Sequence, residues 1–222
     1  MKMIAKGAEG EIFGLMSKEG AHILKRRVVK KYRMPELDSK IRQARTKREA
    51  KVLHAAKLAG VKCPFILGVD IGKTEILMEK IAGKRLREYL IDYGSGKGRK
   101  GKNGDVKIRE KPEKILAKAG AVLAKLHNAG LVHGDYSTAN IIVMIVMKGG
   151  EIAVIDFGLA EFSSSIEDKA TDVLVFKKST NEGEFGMFWK GYAKESKNAK
   201  EVSRQLGEIE KRGRYVARAQ AG

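Results

Sequence analysis

The sequence predicts a two-lobed α+β protein, with a β-rich N-terminal lobe containing one long helix over residues 1–81 and a reduced, mostly helical C-terminal lobe over 82–222. Three observations predict it. Glycine-punctuated apolar runs fill the first 30 residues, an unbroken helical pattern follows them, and helical periodicity dominates after a basic, glycine-rich break. At 43% hydrophobic and 32% charged residues, the composition is that of a folded globular chain and excludes disorder.

Taken in order, IAKGAEGEIFGLMS (4–17) and AHILKRRVVKKY (21–32) read as strands joined by glycine turns. PELDSKIRQARTKREAKVLHAAKLAG (35–60) is a helix closed by Gly60, with Pro64 beyond it as a stop signal. Residues 66–81 read as a hairpin turning at Asp70–Thr74. The stretch GSGKGRKGKNG (94–104) has five glycines, four basic residues and no acid, which predicts a mobile loop over 91–111. From Pro112 a helix resumes, ending at Gly130. A strand pair follows, 141–147 and 152–156 about the turn KGGE, and then a polar, basic helical region.

The formal net charge of +18 predicts an anionic partner, with nucleic acid ahead of a membrane surface, ATP or an acidic protein. A merely solvated basic surface is the plain alternative. The lone cysteine, Cys63, excludes an internal disulfide, reads as a small core residue and fits a reducing compartment. The strongest apolar run, Ile141 to Met147, is far shorter than the ~20 residues a membrane span needs, and residues 1–14 carry no signal-peptide core. A cytoplasmic protein without a membrane partner is expected.

Chemistry concentrates in HGDYSTAN (133–140) and VIDFG (154–158). The spacing Asp135-x4-Asn140 lets one short loop present a carboxylate and an amide to the same space. Asp156 puts a second carboxylate at the end of a β-branched strand. Hard oxygen ligands of this kind suit Mg²⁺, and an acid held beside a metal–phosphate site can orient a hydroxyl. Each residue alone is equally a turn or strand-end residue; the ordered set favours phosphoryl transfer. His133 reads as a packing and hydrogen-bonding residue of the loop. Phe185, Phe188 and Trp189 read as core.

D-x4-N followed by a strand pair and D-F-G resembles the catalytic core of the protein-kinase-like superfamily. That resemblance implies ATP and Mg²⁺. Lys25 in AHILKRR would position the phosphates and Glu49 in the long helix would hold Lys25. Asp135 would be the catalytic acid/base, and Asn140 and Asp156 the metal ligands. Glu49 also stands on the apolar face shared with Val52, Leu53 and Ala56, where an unpaired carboxylate would be costly. The nucleotide lid would be Gly7-Ala8-Glu9-Gly10, and Glu79 and Ile81 would fall at the adenine-binding hinge. Gly134 stands where many kinases carry a regulatory arginine. No Ala-Pro-Glu follows D-F-G, and residues 159–222 leave little room for peptide-docking helices, which describes a minimal, atypical kinase.

KKYRMPELDSKIRQARTKREAKVL (30–53), EDKATDVLVF (167–176) and EIEKRGRY (208–215) are similar to the small kinase/ATPase subunit of the KEOPS (EKC) complex, the PRPK family. The resemblance implies support of N6-threonylcarbamoylation of adenosine 37 in tRNA, ATP hydrolysis and serine autophosphorylation. The implied partners are tRNA, the threonylcarbamoyl-transferring subunit and a small regulatory subunit. Arg212 and Arg214 would contact tRNA, on a basic end suited to phosphate contacts. The alternatives are a RIO-type or small-molecule kinase, which also uses H-G-D, and a non-enzymatic tRNA-binding scaffold.

Overall fold

The strand-forming runs at the start of the chain pair into one antiparallel sheet. A computed structural model describes residues 1–7, 10–18, 20–95, 110–144 and 150–219, leaving aside the side chains of 214–219. Strands β1 (Lys2–Lys6), β2 (Gly10–Ser17), β3 (Gly20–Arg27), β4 (Ile66–Asp70) and β5 (Glu75–Glu79) lie in the order β1-β2-β3-β5-β4. Lys25 sits on the central strand, opposite Ile12 and Ile76. The hairpin over 66–81 is present. The run expected to reach Tyr32 instead stops at Arg27. Its partner strand begins at Glu75, opposite Arg26, so the ladder ends there and the Arg27 amide turns to the Thr74 carbonyl at 3.1 Å.

Helix α1 (Pro35–Leu58) starts with proline in its first turn and acids at Glu36 and Asp38, as the N-terminal end of a helix dipole favours. Its inward face buries Glu49, Val52, Leu53 and Ala56. Cys63 packs beside them, 1% exposed, and burial pushes its thiol pKa up to about 11.

The C-terminal lobe begins with β6 (Gly83–Arg85) and α2 (Leu86–Gly94). This corrects the loop expected over 91–111: residues 91–94 are helical. Leu86 and Tyr89 bury one side of α2 at helical spacing, and the Tyr89 hydroxyl donates to the Glu110 carbonyl at 2.5 Å. Most of that loop, 96–109, and Lys148–Gly149 of the expected turn lie outside the described residues. Next come α3 (Pro112–Asn128), β7 (Leu131–Val132), β8 (Ile141–Met144), β9 (Ile152–Val154) and β10 (Glu161–Phe162). Helices α4 (Ile166–Lys178), α5 (Glu182–Glu195) and α6 (Ala199–Ala219) complete the chain. β8 pairs with β6 and β9, and β7 pairs with β10.

α3 and α5 pack backbone against backbone. A Cβ at Gly120 would come 2.0 Å from the Phe188 carbonyl oxygen, and one at Gly191 would come 1.9 Å from that of Ala117. Phe188, fully buried, stacks on Phe176 at 3.9 Å between ring centroids, while Phe185 and Trp189 pack half-buried at its side. Among the described residues, no helix is long and apolar enough to cross a membrane.

Candidate active site between the lobes

A cleft of about 300 Å³ is lined by Lys6, Gly7 and Gly10 from the β1–β2 edge, Lys25 and Arg27 from β3, and Asp135, Asp156 and Gly158 from the C-terminal lobe. On β3 successive side chains alternate between faces, so Lys25 and Arg27 point the same way. Lys25 Nζ donates to Glu49 Oε1 at 2.6 Å and to Asp156 Oδ1 at 2.7 Å. The expected Lys25–Glu49 pair is therefore formed. Burial alone would lower the Lys25 pKa, but the Glu49 and Asp156 carboxylates outweigh it and raise the value above the ordinary lysine range. Burial pushes Asp156 the other way, and Lys25 more than offsets it, so Asp156 titrates below its usual range.

Asp135 and Asn140 meet across their loop. The Asn140 Nδ2 donates to Asp135 Oδ2 at 2.8 Å and to the Asp135 carbonyl at 2.9 Å. With the amide nitrogen committed, the carbonyl oxygen is the Asn140 atom left for a cation. Among the described residues no group of three His, Cys, Asp or Glu side chains could cage a metal. Asn140 with Asp156 suits Mg²⁺, which takes one or two protein ligands and completes its shell with water and phosphate oxygens.

The loop is held from behind by a residue the sequence did not single out. Asp172 on α4, 1% exposed, accepts from the amides of His133 (2.6 Å) and Gly134 (2.7 Å) and from His127 Nε2 (3.2 Å). Gly134 has φ +76, and a Cβ there would approach the Leu159 carbonyl oxygen to 2.7 Å, so glycine is required by conformation as well as by space. The Tyr136 hydroxyl donates to the Ala119 carbonyl at 2.8 Å and ties the loop to α3. Asp172 was legible only as an inward acid at helical spacing among Ala170, Val173 and Phe176. Arg27, also missed, donates to Glu49 Oε2 at 2.5 Å. In sequence it was one more member of a basic run.

His133 has the structural role expected. Its Nδ1 accepts from the Asp135 amide at 3.3 Å, so the proton sits on Nε2, which donates to the Ile155 carbonyl at 3.1 Å. His127 is neutral in the same manner, between Asp172 and the Tyr192 hydroxyl at 2.8 Å. Burial lowers both pKa values from 6.5. The unfolded chain therefore binds more protons below pH 6.5, and stability is lost as pH falls there. Each ring contributes on the order of 1 kcal/mol per pH unit. Urea midpoints should be lower at pH 5.5 than at pH 7.5; equal midpoints at those two values would contradict the neutral assignment.

Of the expected site residues, Gly7 and Gly10 border the cleft, while Glu79, Ile81 and Arg212 do not line it. Ala8 and Glu9 of the lid lie outside the described residues, while the Gly7 amide bonds the Gly10 carbonyl at 2.9 Å. Glu79 ends β5 and accepts from the Phe65 amide at 3.2 Å; Ile81 lies between β5 and β6; neither lines the cleft. Arg212 is on α6, paired with Glu167 at 2.8 Å, and the side chain of Arg214 is outside the described residues.

Residues 21–165 match the RIO domain family. The KEOPS complex subunit Bud32 of Pyrococcus abyssi is 35% identical over 99% of this chain and 98% of its own length. A probable bifunctional tRNA threonylcarbamoyladenosine biosynthesis protein of Methanosphaera stadtmanae is 39% identical over 95% of this chain, which spans 36% of that relative. The fold is shared with the Rio2 kinase of Chaetomium thermophilum, solved as an ADP/Mg²⁺-phosphoaspartate complex, at TM-score 0.59 and 13% identity over 97% of this chain and 72% of that one. A RIO-type kinase, an alternative at the level of sequence, is thus not separate from the KEOPS resemblance: the chain belongs to the RIO-domain family and, within it, to the Bud32 family.

Proposed function

We propose that this chain is an ATP- and Mg²⁺-dependent phosphoryl-transfer enzyme, an atypical serine/threonine kinase with ATP hydrolase activity. Within a KEOPS-type complex it supports threonylcarbamoyladenosine modification of tRNA. The observation that carries the chemistry is the convergence of Lys25, Glu49, Asp156, Asp135 and Asn140 on one cleft. Lys25 binds the phosphates and Glu49 keeps its ammonium aimed. Asp135, oriented by Asn140, accepts the proton of a serine hydroxyl or of water. Asn140 and Asp156 would hold Mg²⁺, which neutralises phosphate charge when bound. The residue set is complete, which favours an enzyme over a scaffold.

The names of the relatives support the complex and the pathway, and the +18 charge supports tRNA as the anionic partner. The partners proposed are the threonylcarbamoyltransferase subunit, a small regulatory subunit and tRNA, with Arg212 and Arg214 on the tRNA side. The Arg212–Glu167 pair is more than half exposed on both sides and would open readily to a polyanion. The test is turnover of γ-labelled ATP with and without Mg²⁺, transferase subunit and tRNA, following phosphoprotein and free phosphate separately. Label should appear in one or both only with Mg²⁺. Nucleotide binding without turnover under every condition would return the scaffold reading.

A further inference from the structure

We propose that Arg27 is a positioning residue for phosphoryl transfer: it holds Glu49 in place so that Lys25 stays aimed while nucleotide and metal compete for its partners. The inference rests on the phosphoryl-transfer reading and deepens it. The two oxygens of Glu49 are divided, Oε1 to Lys25 at 2.6 Å and Oε2 to Arg27 Nη2 at 2.5 Å. The side chains of Lys25, Glu49 and Arg27 are only 12%, 2% and 3% exposed, so little water is at hand to replace a lost partner.

Lys25 and Arg27 balance Glu49 and Asp156. A divalent cation draws on Asp156, and phosphate oxygens draw on Lys25. Glu49 would then lose part of its stabilisation, and a buried carboxylate with half a partner swings away. Arg27 leaves Glu49 a full partner throughout.

The backbone around Arg27 is fixed to match. Its amide donates to the Thr74 carbonyl at 3.1 Å, and the Thr74 hydroxyl donates back to the Arg27 carbonyl at 3.2 Å. Thr74 has φ +56, a left-handed conformation that a β-branched residue keeps only when its surroundings impose it. Arg42 on α1 reaches the same Thr74 hydroxyl at 3.0 Å, itself paired with buried Asp38 at 2.7 Å. Helix α1 is thus fastened to the sheet at two levels, Glu49 and Arg42, both through the Arg27–Thr74 corner. The guanidinium also lies close to D-F-G, since a Cβ at Gly158 would stand 3.7 Å from Arg27 Nη2. Such fastening sets the Lys25–Glu49 pair permanently, with no phosphorylated loop required.

The test is a double-mutant cycle of Arg27→Met and Glu49→Gln, with Arg27→Lys as the conservative rescue, all assayed below their melting temperatures. Two quantities are read: kcat and KM for ATP, and the rate of Lys25 acylation by acetic anhydride in peptide mass spectra. Arg27→Met should lower kcat by about tenfold or more and speed Lys25 acylation, with Arg27→Lys recovering most of both. In the Glu49→Gln background it should change neither. Unchanged kcat and acylation in folded Arg27→Met would overturn the proposal. So would an equal loss in both backgrounds, which would mean that Arg27 acts without Glu49. If Arg27→Met does not fold, Arg27→Gln takes its place under the same outcomes. Absence of turnover in the unaltered chain would sink the phosphoryl-transfer reading alone, because Lys25 acylation needs no nucleotide and still decides on Arg27.

Discussion

Asp135→Asn is expected to leave the fold and nucleotide affinity intact and to lower Mg²⁺-dependent ATP turnover by about a hundredfold or more, the usual scale for removing a general base. The substitution is isosteric, and its amide oxygen can still accept from Asn140 Nδ2, which now bonds Asp135 Oδ2 at 2.8 Å. The loop backbone is held by Asp172 and Tyr136, independently of the Asp135 side chain. What disappears is the group proposed to take the acceptor proton. Steady-state phosphate release, with calorimetric nucleotide affinity beside it, separates the two effects. Turnover within a few-fold of the unaltered chain would remove Asp135 from its assigned role.

Gly191→Ala is expected to be among the most damaging single methyls at the described glycines. The new carbon would sit 1.9 Å from the Ala117 carbonyl oxygen, a backbone atom that no rotamer change can move aside. α3 and α5 would have to separate, straining the His127–Tyr192 hydrogen bond that joins them. The cost is at least about 3 kcal/mol, the upper end for overpacking, against a total stability of only 5–15 kcal/mol for a typical domain. Gly120→Ala meets the Phe188 carbonyl oxygen at 2.0 Å and should behave alike. Gly186→Ala on α5 is the control, because nothing lies within 4 Å of its new carbon; helix propensity should make it neutral or slightly stabilising. Thermal melts of the three variants check this, and a Gly191→Ala melt close to that of Gly186→Ala would contradict the packing described.

The legible parts of the fold were those whose local signals agreed with their packing. α1 carried proline at its start, a stop signal at its end and an inward stripe ending in Ala56, and it folds as that pattern demands. The Lys25–Glu49 pair was legible because a carboxylate in an apolar stripe requires a cation. α2 was hidden because it is short and anchored by few side chains, Leu86, Tyr89 and partly buried Leu90 among them, and the glycine-rich composition beginning at Gly94 dominated the reading. Arg27 and Asp172 were hidden for a different reason. Each is a charged residue inside a charged run, and only long-range contacts, 22 residues away in sequence to Glu49 and 39 to His133, give it meaning.

The buried carboxylate on α4 also makes the two walls of the cleft unlike in how they are held. Asp172 pins two consecutive amides of the loop that carries Asp135, while His127, Tyr136 and Tyr192 tie its surroundings to α3 and α5. The opposite wall ends in β1, an edge strand exposed along its whole length and bonded only to β2. One wall is thus held from behind by buried hydrogen bonds to three helices, the other by a single neighbouring strand.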